Sequence, residues 1–154
     1  GAAWAKETSN EPNGIWAWDG GAVAVGNEGK VMFRDGAGVW TVGNTGKTAN
    51  LRGVSGSSAT NIWAVGDLSS LLHWNGSSWS SEESDSTATL NAVFVPDEDN
   101  AIAVGNAGTA LKYNGKKWSV TPTDTNQNMY AVHGVSGSNA WGTGDAGLAM
   151  QYKE

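Results

Sequence analysis

Short apolar runs alternate along this chain with clusters of Gly, Ser, Thr and Asn, and no long run keeps helical spacing. Apolar runs of about four to eight residues that are bounded by turn-forming residues are typical of β-strands. Because successive positions within several runs are apolar, we expect strands that are buried on both faces. The pattern therefore predicts an all-β protein with many short strands and many turns.

One motif, a small residue, a hydrophobic residue, Gly and then Asn or Asp, recurs through the chain. It reads AVGNEG, AVGDLS and AVGNAG, with a variant GTGDAG, and its anchoring glycines are Gly26, Gly66, Gly105 and Gly144. These glycines are 40, 39 and 39 residues apart. A period near 40 residues indicates a repeat architecture, so we expect four copies of one structural unit.

Three further features keep the same period. An apolar residue lies 15 positions before each of the last three anchoring glycines, at Leu51, Leu90 and Met129. An Asp-Gly or Asn-Gly pair follows each of the first three glycines, and such pairs favour the type I′ turns of β-hairpins. A tryptophan recurs at Trp4, Trp40, Trp79 and Trp118. Each unit is thus predicted to contain four strands, a to d, with strand d beginning at the tryptophan.

Antiparallel four-strand units with this period predict a β-propeller of four blades. The predicted blades are residues 13–50, 51–89, 90–128 and 129–154, of which the last has only strands a to c. The count from Gly144 through the end of the chain to Trp4 is 14, against 13 or 14 in the other units. We therefore expect residues 1–12 to supply the outer strand of the last blade and to close the ring, which removes an open sheet edge. The count fits closure within one chain and strand exchange between two chains equally.

Composition and charge narrow the range of functions. The 154 residues have the length of one domain, and they include 22 Gly, 9 Trp and no Cys. The net charge of −6 and the scattered Lys and Arg residues disfavour nucleic-acid binding. No apolar run approaches the roughly 20 residues of a membrane-spanning helix, and no signal peptide is visible. Without Cys, the chain has neither disulfides nor thiolate chemistry.

The segment NIWAVGDLSSLLHWNGSSW, residues 61–79, resembles the repeats of bacterial β-propellers related to the neuraminidase repeat and to photosystem II assembly-factor-like proteins. The resemblance covers essentially the whole chain in four units. It implies a propeller fold in a bacterial protein, which we expect to be extracellular or in the cell envelope. It does not imply sialidase activity, because no unit has the Ser-x-Asp-x-Gly-x-Thr-Trp motif and the chain has two arginines, too few for the sialidase arginine triad.

One variable column on strand a is the best candidate for a binding site. An alignment of the strand-a segments that matches Trp18 with Val54 places Trp16 in the column of Arg52, Asn91 and Tyr130. This column is partly polar and lies on the innermost strand, close to the propeller axis or its mouth. We predict that Trp16, Arg52, Asn91 and Tyr130 form a binding patch; the alternative is an ordinary solvated strand end.

The other conspicuous residues are interpreted as structural. The tryptophans that recur once per unit, and Trp63 and Trp141, are expected to pack in the core rather than to bind sugars. A repeated Asn or Asp of the b–c turn is expected to cap its own backbone rather than to bind a metal, at Asn27, Asp67, Asn106 and Asp145. The acidic runs at 82–85 and 97–99 lack the oxygen spacing of a calcium loop. We predict neither a metal nor a cofactor.

No sequence motif assigns catalytic roles, so we predict that the protein is not an enzyme. Its expected function is that of a binding module for a glycan or a protein surface at the loop-rich faces around the axis. The alternative is a structural scaffold, either half of a strand-swapped eight-bladed homodimer or a fragment of a larger propeller. The protein is therefore expected to be a monomer or a strand-swapped homodimer.

Overall fold

The computed structural model describes Ala3, Lys6 and residues 11–154, which form four antiparallel sheets in succession along the chain. The first sheet comprises β1 (Pro12–Trp18), β2 (Gly21–Gly26), β3 (Lys30–Arg34) and β4 (Trp40–Asn44). The second comprises β5 (Leu51–Ser58), β6 (Asn61–Gly66), β7 (Leu71–Trp74) and β8 (Trp79–Glu82). The third comprises β9 (Leu90–Phe94), β10 (Ala101–Gly105), β11 (Ala110–Tyr113) and β12 (Trp118–Val120). The fourth comprises β13 (Met129–Ser136), β14 (Asn139–Gly144) and β15 (Ala149–Lys153).

The predicted all-β propeller architecture is confirmed. Each sheet is a blade whose strands follow one another in chain order, with strand a on the inside. The first three sheets end at strand d on the outside, and the fourth ends, within the described residues, at strand c. The segment around Trp4, which was predicted to complete the last blade, falls almost entirely outside the described residues, so closure of the ring stays a prediction. No helix in the described part of the chain is long and apolar enough to cross a membrane.

The blades are stacked side by side through their inner strands. Strand β5 packs between β1 and β9, and β9 packs between β5 and β13. Within the described residues, β13 makes no comparably extensive contact with β1. The four blades therefore form an arc, with blade 1 at one end and blade 4 at the other.

The hydrophobic core consists of three layers, one between each pair of neighbouring blades. Val23 and Val25 of blade 1 pack against Leu51 and Ile62 of blade 2. The layer between blades 2 and 3 contains the aromatic residues Trp63, Tyr113 and Trp118, and the layer between blades 3 and 4 is aliphatic around Ile102 and Met129. Both faces of the central strands are covered in this way: every residue of β6 and of β10 is buried.

Three of the four anchoring glycines, Gly66, Gly105 and Gly144, are required by close backbone packing rather than by backbone conformation. Gly105 is extended, with φ of −161°, which any residue can adopt. A Cβ at Gly105 would lie 2.1 Å from the carbonyl oxygen of Thr89, which precedes strand β9. This carbonyl also accepts a 2.9 Å hydrogen bond from the backbone N–H of Asn106. The glycine therefore lets the inner strand lie directly against the b–c turn.

The c–d turns differ in detail from the predicted type I′ hairpins. In blade 2 the glycine of the pair, Gly76, has positive φ, but Asn75 is not among the residues with positive φ. Instead, the Asn75 side-chain oxygen accepts hydrogen bonds of 3.0 Å from the backbone N–H groups of Ser77 and Ser78. The c–d loop is longer than a two-residue type I′ turn and is closed by the asparagine side chain, which explains why Asn or Asp recurs at this position.

The prediction that Trp141 packs in the core is wrong. Trp63 is 1% exposed, whereas Trp141, at the same position in blade 4, is 45% exposed. The two side chains point to the same side of their blades. The next blade covers Trp63, but no described residues form a fifth blade that would cover Trp141.

Candidate functional site

The register of β1 changes the membership of the predicted patch. Ile15 lies opposite Ala24, just as Val54 lies opposite Ala64 in blade 2. The residue equivalent to Arg52 is therefore Asn13, three positions before Trp16, and the alignment that matched Trp18 with Val54 is wrong. The misalignment was caused by the run of large apolar residues at the end of β1, where the indole of Trp18 lies over Gly21.

Trp16 has a packing role at the interface between blades 1 and 2. Its side chain is half-buried and stacks on Trp18, with ring centroids 5.3 Å apart. A Cβ at Gly56 of β5 would lie 2.9 Å from the Trp16 ring, so the indole fills the space above that glycine. Trp16 is not among the residues that line the depression formed by the other three predicted residues.

The structure brings the other predicted residues together at one depression. Arg52, Asn91 and Tyr130 are each the second residue of an inner strand, and Asn13 holds that position in β1. These four side chains, with Asn27 and Asn50, line a depression of about 430 Å³ where successive inner strands begin. We call this set of six residues the inner-strand patch.

Two asparagines of the patch are held in the same way in different blades. The Asn13 side-chain nitrogen donates to Asn27 Oδ1 at 2.8 Å and to the backbone carbonyl of Leu51 at 3.0 Å. Asn91 donates in the same way to Asn106 Oδ1 and to the carbonyl of Met129, each at 2.8 Å. Each amide thus joins its own b–c turn to the next inner strand and is held in a defined orientation.

Arg52 is held by a carboxylate but stays accessible. Its Nε lies 2.6 Å from Asp67 Oδ1, and its side chain is 47% exposed. The hydrogen bond from Arg52, opposed by partial burial and supported by Asn50, lowers the pKa of Asp67 below its usual value. Because a guanidinium has five N–H donors, Arg52 can contact Asp67 and a ligand at the same time.

The repeated Asn and Asp of the b–c turns act differently from the prediction. In the described part of the chain, their side-chain oxygens accept hydrogen bonds from polar side chains of the inner strand or of the link before it, rather than capping their own turn. The turn itself contains two consecutive residues with positive φ, for example Glu28 at 56° and Gly29 at 68°. Among the described residues, no three His, Asp or Glu side chains are grouped closely enough to hold a metal ion.

The chemistry of the patch suits recognition rather than bond cleavage. It combines amide groups, one guanidinium and the phenol of Tyr130, which is 53% exposed. Such groups donate and accept hydrogen bonds in fixed directions, as peptide groups and sugar hydroxyls require. The patch contains no His, Ser, Cys or carboxylate that could serve as a nucleophile or general base.

The two histidines lie in different blades and on different strands, His73 on β7 and His133 on β13. His73 is paired with Trp63 across β7 and β6, and its ring stacks on that indole at 4.5 Å. Its Nε2 lies 2.8 Å from Asn61 Oδ1, which can only accept, so the neutral ring carries its proton on Nε2. Burial lowers the pKa of His73 below its usual value of 6.5, against a smaller opposing effect of Glu82. His133 lies on strand a opposite Trp141, the place that Ser55 holds in blade 2, and Gln151 holds the place of His73.

We expect the stability of the protein to decrease with acidification below pH 6.5 in a way that depends on His73. As the pH falls, His73 of the unfolded chain binds a proton before His73 of the folded chain does. Stability is therefore retained above the pKa of the unfolded state and falls between that pKa and the lower pKa of the folded state. Urea unfolding at pH 5 and pH 8 measures the difference. The difference in the free energy of unfolding between the two pH values should shrink in His73→Gln and remain in His133→Gln. Equal differences in the two variants would contradict this role of His73.

Comparisons with known proteins agree with the architecture. No protein-family model and no curated protein matches the sequence. A solved structure of YCF48 bound to D1 peptide is similar over 92% of this chain, with a TM-score of 0.73 and 18% identity. YCF48 from Cyanidioschyzon merolae is similar over 87% of this chain, with a TM-score of 0.72 and 16% identity. The chain spans about half the length of these structures, 51% and 48%. The predicted resemblance to photosystem II assembly-factor-like propellers is confirmed at the level of the fold.

Proposed function

We propose that the protein is a non-enzymatic protein-interaction module that binds an extended peptide segment at the inner-strand patch. The observation that carries this proposal is the placement of Asn13, Arg52, Asn91 and Tyr130 at equivalent positions of successive blades, around one depression. A row of oriented polar side chains with this repeat suits a ligand that itself presents repeated hydrogen-bonding groups. A similar propeller, YCF48, has been solved bound to a D1 peptide, which supports a peptide as the ligand class.

The proposal predicts that peptide affinity depends on Arg52 and Tyr130. The full chain would be used to select ligands from a displayed library of random 12-residue peptides, and the dissociation constant of a selected peptide would be measured by fluorescence anisotropy. We expect Arg52→Gln and Tyr130→Ala each to weaken binding by about tenfold or more, because truncation of a central Arg or Tyr contact commonly costs more than 1 kcal/mol.

Trp16→Ala provides the matched control, because Trp16 belonged to the predicted patch and lies outside the depression. We expect this variant to bind the selected peptide as the unchanged protein does. The urea midpoint of each variant checks that it is folded. Loss of binding in Trp16→Ala, with normal binding in both patch variants, would contradict the location of the site.

A glycan is the alternative ligand for the same patch. Amide and guanidinium groups also bind sugar hydroxyls, and the exposed Tyr130 is an aromatic residue of the kind that stacks on sugars. A glycan array probed with the full chain decides between the ligands. Binding that requires Arg52 and Tyr130 on the array, without any selected peptide, would favour the glycan.

A second candidate function is that of a structural scaffold, as half of an eight-bladed ring of two chains. The open arc favours this candidate, since the side of blade 4 that carries Trp141 is not covered by another described blade. A ring of two copies would place blade 1 of one chain next to blade 4 of the other. This candidate concerns assembly and is compatible with peptide binding at the patch.

A further inference from the structure

An apolar cleft lies between blades 3 and 4, beside the last strand of the described chain. It encloses about 80 Å³, and its lining includes Ile102, Ala110, Met129, Val132, Met150 and Tyr152. Ile102 and Met129 are nearly fully buried and form the cleft floor together with the aliphatic layer between the two blades. The cleft is open to solvent on the side of β15.

The same place in the two preceding blades is occupied by a tryptophan of strand d. Trp118 packs between Trp63 and Tyr113, with ring centroids 5.0 and 5.5 Å away, and is 4% exposed. Trp79 packs against Phe33 and Trp74 in the layer between blades 1 and 2. In the layer between blades 3 and 4, Ile102 of blade 3 and Tyr152 of blade 4 stand where Trp63 and Tyr113 stand in the preceding layer. The cleft thus has the position and the lining of a tryptophan site.

The backbone beside the cleft also lacks a neighbour. In blades 1, 2 and 3, strand c pairs with strand d. In blade 4, β15 pairs with β14 and with no other strand among the described residues. An unpaired edge strand is a template for the addition of another strand, whose side chains then enter the adjacent pockets.

We propose that this cleft and the β15 edge bind residues 2–9 of a second copy of the chain, with Trp4 in the apolar cavity. The segment has the pattern of a strand d: Trp4, Glu7 and Ser9 have the same spacing as Trp79, Glu82 and Ser84. In the described blades, each strand d leads directly into strand a of the next blade. The segment before β1 therefore belongs to the blade that precedes blade 1.

The arc favours a second copy of the chain as the donor. Blade 4 and blade 1 of one chain lie at opposite ends of the arc, and among the described residues β13 and β1 make no contact as extensive as those between neighbouring inner strands. The arc superposes on about half of a longer propeller, so its curvature suits a ring of about twice four blades. Two copies related by a twofold axis complete such a ring, in which each chain donates one strand and accepts one. This inference rests on the scaffold candidate and is independent of the inner-strand patch.

The neighbouring blades also define the register of the added strand. Trp74 lies opposite Trp79 and His73 opposite Ser80, and Tyr113 lies opposite Trp118. By the same register, Tyr152 would lie opposite Trp4 and Gln151 opposite Ala5. Directly opposed residues of an antiparallel pair have Cβ atoms about 4.5–5.5 Å apart, close enough for cysteines at these positions to be oxidised to a disulfide with a small adjustment.

The test uses the full chain, which has no cysteine of its own. Ala5→Cys, carrying an added mass tag, is mixed with Gln151→Cys, oxidised and run on a denaturing gel; the double variant is oxidised alone. We expect a tagged–untagged disulfide dimer in the mixture. Thr8→Cys mixed with Gln151→Cys places the cysteines three positions out of register. We expect this pair to give at least about tenfold less disulfide dimer. Light scattering should give the unchanged protein twice the 15.9 kDa mass of one chain.

Each alternative result overturns the inference. An intrachain disulfide in the double variant, with a mass of 15.9 kDa, would mean that the chain closes its own ring. Equal yields in and out of register would mean random collision. We further expect Trp4→Ala to shift the protein to the mass of one chain, while Trp16→Ala retains the mass of two. Peptide binding at the inner-strand patch is measured separately, so failure of either proposal is seen independently.

Discussion

Replacement of Gly105 by alanine is expected to lower the free energy of unfolding by about 3 kcal/mol or more. The added Cβ would lie 2.1 Å from the Thr89 carbonyl oxygen; the backbone fixes the position of the Cβ and the oxygen belongs to the backbone, so no flexible side chain can move aside. Overpacking of a rigid core commonly costs about 1–3 kcal/mol and sometimes more, and here the inner strand must separate from the b–c turn. Urea unfolding followed by tryptophan fluorescence measures the loss.

Gly26→Ala is the matched control for this prediction. Gly26 is the corresponding glycine of blade 1 and is extended in the same way, with φ of −150°. A Cβ there would lie 3.3 Å from the carbonyl oxygen of Glu11, so a small shift accommodates it. We expect a loss below about 1 kcal/mol. Equal losses in Gly26→Ala and Gly105→Ala would show that backbone conformation, and not close packing, selects these glycines.

Trp63→Ala is expected to reduce the free energy of unfolding by about 3–5 kcal/mol, the range for large aromatic truncations in protein cores. Trp63 is 1% exposed and contacts three rings, those of His73, Tyr113 and Trp118, at centroid distances of 4.5–5.0 Å. Its removal leaves a cavity in the middle of the layer between blades 2 and 3. The urea midpoint and the slope of the transition give the loss.

Trp141→Ala tests whether burial or residue type causes this effect. Trp141 has the same place in its blade but is 45% exposed. The measurement is made at a protein concentration where light scattering gives the mass of one chain. There, Trp141→Ala should lower the free energy of unfolding by less than about 1 kcal/mol. A loss as large as that of Trp63→Ala under those conditions would mean that the outer face of blade 4 is covered within a single chain.

The periodic features predicted the architecture because they are imposed inside each blade. The anchoring glycines, the c–d turn asparagines and the apolar residues that open the inner strands recur at nearly constant spacing. Each of them satisfies a local requirement, such as the contact between Gly66 and the Asn50 carbonyl. These local requirements recur in every copy of the unit, so the order of the strands within a blade could be predicted from the sequence.

The candidate site was only partly predictable, and the reason is register. Arg52, Asn91 and Tyr130 were placed correctly in one column, because their blades share the 39-residue spacing from Leu51 to Met129. In blade 1 the a–b hairpin is one residue shorter, and large aromatic residues occupy the end of β1. The 39-residue spacing counted back from Arg52 would have identified Asn13, but the apolar pattern of β1 favoured Trp16.

The sequence by itself determined the all-β repeat, the four-strand order of the blades and the polar column on the inner strands, because these follow from hydrophobic pattern and turn chemistry over short distances. Only the tertiary structure decided which equivalent residues are buried, because the burial of a blade face depends on the blade beside it. The same indole is therefore a core residue at Trp63 and a surface residue at Trp141. The cleft beside β15 likewise became visible only when the packing of Trp79 and Trp118 in the preceding layers was known.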